Sequence, residues 1–96
     1  MIRAEIIGSE ACMDEVIATL EKSIPSLLYT LIPVVHGKGK EDYKKGDTTW
    51  PETNFVLFAY AEDDSEAKIE KVVYYIKHKF PEEGVKLFVL HDKGIS

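Results

Sequence analysis

Two almost wholly apolar, β-favouring runs lie on either side of a long polar connection: LLYTLIPVV over residues 27–35 and NFVLFAYA over residues 54–61. A strand of an antiparallel sheet with one face in water alternates apolar and polar side chains. Neither run alternates, so each calls for apolar surroundings on both faces. Pro33 inside the first run lacks an N–H for the ladder, which places that strand at a sheet edge. The connection between them, HGKGKEDYKKGDTTWPET over residues 36–53, far exceeds the roughly 2–6 residues usual in compact domains. Connections of that length usually carry function, so the loop and its base are the first place to look for it.

The remaining elements follow from periodicity. Residues 2–8 read as a strand. Ser9 then suits the cap of a helix whose apolar positions Met13, Val16, Ile17, Leu20 and Ile24 recur every three or four residues, and Pro25 ends it. After the second apolar run, Asp63 and Glu66 have the spacing of a capping box. They open a helix with a buried stripe of Ile69, Val72, Val73, Ile76 and Phe80. Pro81-Glu82-Glu83-Gly84 turns the chain into a last strand over residues 85–90. The order is βαββαβ, an α+β chain of ferredoxin-like type with a four-stranded antiparallel sheet and a long loop between strands 2 and 3. Two helices cover only one face of such a sheet, and the two non-alternating strands need the other face buried as well. Other subunits are therefore expected to bury it.

A chain of 96 residues has room for one core, and 45% hydrophobic residues support it. The net charge of −5 opposes a nucleic-acid surface, which carries a basic excess. The charge is uneven, however: Lys38, Lys40, Lys44 and Lys45 make the loop basic, while acids gather at residues 10–21, 62–70 and 82–83. A basic loop on an acidic body suits a small anionic ligand or an acidic partner face. The single cysteine, Cys12, excludes an internal disulfide, in keeping with a reducing compartment. With no signal-peptide run and no apolar stretch of the ~20 residues a membrane span needs, cytoplasmic residence without membrane insertion is expected.

Gly37-Lys38-Gly39-Lys40 either frees backbone N–H groups to cradle an anion or marks a strand end with unusual backbone angles and solvated lysines. Lys86 is either a phosphate contact or a surface lysine alternating with inward Val85 and Leu87. His36, His78 and His91 with Cys12 could supply soft metal ligands, but no pair has ligand spacing, so a metal site would have to be assembled in space. His36, beside the glycines, is the best placed of the histidines. Cys12, in the first turn of a helix, is either an ordinary half-buried thiol or one whose thiolate the helix dipole favours. Tyr43 and Trp50 are candidate partner contacts on the loop; alternatively Trp50 and the stiff Pro51 pin the loop's return to the body. No nucleophile–base pair or carboxylate dyad is recognisable, so an enzyme is not expected.

The element order, the junction Pro33-Val34-Val35-His36-Gly37-Lys38-Gly39-Lys40, the long second loop and the ending Gly84-Val85-Lys86-Leu87-Phe88-Val89-Leu90 together resemble the nitrogen-regulatory P-II superfamily of trimeric signalling proteins. The segment Trp50-Pro51-Glu52-Thr53-Asn54 looks like an offshoot of that superfamily found beside membrane transporters. The resemblance implies a single P-II-like domain over residues 1–96, with a T-loop-like segment at 38–52. It also implies a homotrimer whose clefts bind a small effector, ATP or ADP in classical members, and a loop that engages a partner such as a membrane transporter. Residue by residue, Gly37 and Gly39 match the loop-base glycines, with Lys38 and Lys40 between and beside them, and Lys86 matches the phosphate-side lysine. The turn Pro81-Glu82-Glu83-Gly84 departs from the family's glycine-rich turn and puts two acids on the phosphate side. The alternative is a divalent-metal-binding trimer related to cation-tolerance proteins, holding zinc or copper through His36, Cys12 and nearby acids.

Overall fold

The computed structural model describes residues 1–36 and 53–91. Its elements are β1 (Ile2–Ser9), α1 (Met13–Ser23), β2 (Leu28–Val35), β3 (Asn54–Ala61), α2 (Glu66–Lys79) and β4 (Val85–His91), with single 3₁₀ turns, Glu10–Cys12 and Asp63–Ser65, leading into the helices. The sheet order is β2-β3-β1-β4, with every neighbouring pair antiparallel. This is the ferredoxin-like arrangement, and it places β2 and β4 at the edges.

Pro33 accordingly lies on an edge strand. The β2–β3 register runs from Leu28↔Tyr60 to Ile32↔Val56, shifts, and resumes at Val35↔Asn54. The irregularity falls where proline removes a ladder donor, as edge positions and bulges tolerate. Resumption at Val35↔Asn54 closes the foot of the long loop.

Both helices pack on one face of the sheet. Val16 and Leu20 of α1, with Cys12 and Ile24 flanking it, and Ile69, Val72, Val73 and Ile76 of α2 meet Ile2, Ala4, Ile6, Phe55, Leu57, Ala59 and Val85 from the strands. Full burial of a side chain the size of Leu57 or Phe55 contributes about 1.5–3 kcal/mol, so this layer supplies the main driving force. Tyr29 donates from β2 to Glu21 Oε1 at 2.7 Å, and Tyr75 to Glu15 Oε1 at 3.3 Å, where Lys79 also pairs with Glu15. These polar contacts fasten the rim of α1 to β2 and α2. Acidic Asp14 and Glu15 at the start of α1, and Lys77, His78 and Lys79 at the end of α2, match the helix dipoles.

The opposite face has no helix over it. Register places Leu28, Thr30 and Ile32 of β2 beside Tyr60, Phe58 and Val56 of β3, then Arg3, Glu5 and Ile7 of β1, then Leu90, Phe88 and Lys86 of β4. Thus β3 is buried on its helix face alone within one chain: Phe55, Leu57 and Ala59 are buried, whereas Val56 and Phe58 are half-covered and Tyr60 is exposed. Leu28 is 78% exposed, and Tyr60, Phe88 and Leu90 are each about half exposed.

The capping box expected from Asp63 and Glu66 does not form. Neither side chain caps the helix: Asp63 binds the N-terminal amino group at 2.9 Å, and Glu66 lies 3.2 Å from His91 Nε2. Asp63 lies inside the 3₁₀ turn and Ser65 holds the cap position of α2, while antiparallel pairing of β1 with β3 and β4 brings the N-terminal amino group and His91 to that end of the sheet.

Gly8 is held in close quarters. A Cβ there would sit 3.1 Å from Phe55 Cε1, 3.2 Å from Val85 Cγ2 and 3.3 Å from the Gly84 carbonyl oxygen. Gly8→Ala should therefore cost about 1–3 kcal/mol through overpacking, read as a lower urea midpoint at constant slope. A midpoint equal to wild type would contradict this account of the contact.

Candidate functional site

Three segments converge at the foot of the long loop. The Glu10 N–H donates to the Thr53 carbonyl at 3.0 Å, and the Thr53 hydroxyl donates to the Glu10 carboxylate. These bonds tie the loop's return to the start of the first helical turn. The Ser9 N–H donates to the Gly84 carbonyl at 2.9 Å, tying the turn before β4 to the end of β1. Ser9 Oγ accepts from the Ala11 N–H at 3.3 Å, the capping role its position called for. Between them lies an open cleft of about 530 Å³ lined by Ser9, Glu10, Ala11, Thr53 and Glu83.

The cleft is rich in oxygen and carries no cation among its described residues. The carboxylates of Glu10 and Glu83 accept hydrogen bonds from hydroxyl or cationic groups and repel phosphate, while the hydroxyls of Ser9 and Thr53 can donate or accept. Sequence reasoning singled out Glu83 as one of two acids in the turn but passed over Ser9, Glu10 and Thr53 as ligand contacts. Their signal was faint, since a cap, a first-turn acid and a loop threonine each have an ordinary structural role.

Cys12 is fully buried beside this cleft, at the junction of the 3₁₀ turn and α1, and its thiol donates to the Ser9 carbonyl at 3.2 Å. Burial, then the negative charge of Glu83, pushes its pKa up. The thiolate is disfavoured, contrary to the reading in which the helix dipole favours it: desolvation and a nearby carboxylate outweigh the dipole. A buried thiol bonded to a carbonyl is also poorly suited to ligate a metal, which needs the thiolate. His36 is exposed at the end of β2, and among the described residues no three His, Cys, Asp or Glu side chains gather as a metal-ligand group. His78 presents Nδ1 to the Tyr74 carbonyl at 2.9 Å and its ring to Tyr74, on the exposed side of α2.

The loop candidates Gly37, Lys38, Gly39, Lys40, Tyr43 and Trp50 lie outside the described residues. Lys86 is exposed on the open sheet face, opposite Ile7. It does not line the loop-foot cleft. A second, more apolar hollow of about 450 Å³ opens on the sheet between β1 and β4, lined by Glu5, Ile7, Phe88, Val89 and Leu90. Among the described residues no helix is long and apolar enough to cross a membrane.

No family model matches the sequence, and no curated protein does. Solved structures do match. A PII-like signalling protein from Thermus thermophilus aligns at TM-score 0.65 and 15% identity, over 93% of this chain and 83% of that one. The nitrogen-regulatory PII-like protein CPII from Thiomonas intermedia, solved with ADP, AMP and bicarbonate, aligns at TM-score 0.66 and 15% identity, over 93% and 82%. A DUF3240 family protein from Shewanella baltica aligns at TM-score 0.68 and 10% identity, over 99% and 93%. The chain has the fold of the PII-like signalling proteins, and identities this low speak to fold alone.

Raising the thiol pKa on folding means the native state holds a proton that the unfolded chain, with a pKa near 9.0, releases first. This contribution is complete below that pH and is lost as pH climbs above it. Wild type should therefore lose stability as pH rises through and above about 9 more steeply than Cys12→Ala, measured by urea denaturation at each pH. Parallel pH profiles would refute the buried-thiol assignment.

Proposed function

We propose that this chain is a non-enzymatic regulatory protein. It assembles as a trimer through its open sheet face, binds a small effector at the foot of the long loop, and engages a partner through residues 38–52. The observation that carries the reading is the helix-free sheet face, where Leu28, Ile32, Phe58, Tyr60, Phe88 and Leu90 form an apolar surface that one chain leaves in water. Contiguous apolar patches of this kind mark interaction surfaces.

The effector part rests on the loop foot. Three segments are hydrogen-bonded together there, so a ligand touching the cleft touches the root of the loop. The shared fold with CPII, a protein solved with ADP, AMP and bicarbonate, supports an effector of nucleotide size. The described lining does not fit a polyphosphate, because Glu10 and Glu83 face the cleft. Such a ligand would meet those carboxylates with its hydroxyl or cationic groups, and its anionic groups would be left to the loop lysines Lys38 and Lys40. Gly37 and Gly39 would let the backbone approach it.

Regulation follows from selection among loop conformations. An effector with tenfold preference for one conformation shifts the balance by about 1.4 kcal/mol, enough to alter the surface offered to a partner. Tyr43 and Trp50 are the side chains assigned to that surface. The Trp50-Pro51 segment, by its resemblance to transporter-associated chains, points to a membrane transporter as the partner. Cys12 is not placed as a nucleophile: it is buried and bonded to a backbone carbonyl rather than to a base.

Native mass spectrometry of the protein alone and with ATP, ADP, AMP or bicarbonate tests the reading. A trimer that takes up to three ligands is expected, with uptake lost in Gly37→Val and Gly39→Val while the trimer persists. A monomer would overturn the assembly, and undiminished ligand uptake in both variants would overturn the site.

A further inference from the structure

The open sheet face carries two opposite charges near its centre. Arg3 and Glu5 lie two residues apart on the inner strand β1, between Phe58 and Tyr60 of β3 and Phe88 and Leu90 of β4. The Arg3 guanidinium lies 5.1 Å from the Phe58 ring centroid. Arg3 Nε is 3.2 Å from Glu5 Oε2, close enough for an ion pair, yet it is buried and has no aligned hydrogen-bond partner.

Covering this face would strip water from both charges. An arginine brings five N–H donors and a carboxylate about four acceptor positions. One misaligned contact within a chain leaves most of them unmet, and burying charge in that condition is costly. A second copy of the same chain resolves this, since each face carries both signs. In a cyclic assembly the contacts are heterologous, so a residue of one copy meets a different residue of the next.

We propose that the assembly described above is closed by a ring of alternating charge, in which Arg3 of each copy pairs with Glu5 of the next as well as with its own. This rests on the assembly reading and adds what makes it selective. The apolar residues supply area, and the Arg3–Glu5 exchange sets which copy meets which edge. Copies out of register would leave a buried charge unpaired.

The test uses full-length chains in sedimentation velocity and native mass spectrometry. Arg3→Glu and Glu5→Arg should each weaken assembly at least about tenfold, and the double variant Arg3→Glu/Glu5→Arg should recover most of it. A mixed trimer of the two single variants restores two of its three Arg–Glu contacts, so mixing should yield hetero-assemblies in excess of what either forms alone, which pairing confined to one chain would not produce. The double variant also serves as the folding control, because it carries both substitutions. If wild type assembles and the single variants assemble equally well, or the mixture yields no hetero-assemblies, the charge ring is wrong and the assembly reading stands. If wild type is a monomer, both fall together.

Discussion

A sheet with helices on one side only dictates most of this structure. Burial of the helix-side residues of β1 and β3, with Phe55, Leu57 and Ile6 fully enclosed, holds the chain together. The same architecture leaves the other side of those strands, Phe58 and Tyr60 among them, without cover. Apolar surface removed from water contributes on the order of 25 cal/mol per Å², so a face of exposed aromatic and aliphatic side chains is a standing driving force for association. In the proposed assembly, Arg3 and Glu5 in its middle make that association discriminating rather than merely adhesive.

The loop foot is a second consequence of the topology. Because β1 lies between β3 and β4, the end of β1 is adjacent both to the loop's return at Thr53 and to the turn at Gly84. Segments far apart in sequence therefore share one cleft, and anything bound there is mechanically next to the loop. The carboxylates of Glu10 and Glu83 give that cleft a preference for hydroxyl and cationic groups. A PII-like fold does not by itself carry nucleotide binding, because fold sets the place of a site and side chains set its chemistry.

Much of this was legible beforehand. The strands, the two helix stripes and the edge position of β2 follow from periodicity and from Pro33, since burial imposes repeats of two or about 3.6 residues. The apolar character of the second face followed from the missing alternation in the two apolar runs. Local signals fared worse where a group distant in sequence competed. Asp63 and Glu66 have capping spacing, but the N-terminus and His91 take them. Cys12 has the position for an activated thiol, but burial and Glu83 reverse the effect. Arg3 and Glu5 drew no notice because charges alternating with Ile2, Ala4 and Ile6 read as an ordinary solvent face.

By itself the sequence determined the element order, which residues face the helices, and that the sheet has a second apolar face. Those properties are local, set by the spacing of side chains along a single strand or helix. Only the tertiary structure decided that Ser9, Glu10, Thr53 and Glu83 line one cleft, that Cys12 is buried beside it, and that Arg3 and Glu5 share the open face with Phe58 and Phe88. Each of these depends on strand order and register, which are fixed by long-range pairing and leave no periodic trace in the chain.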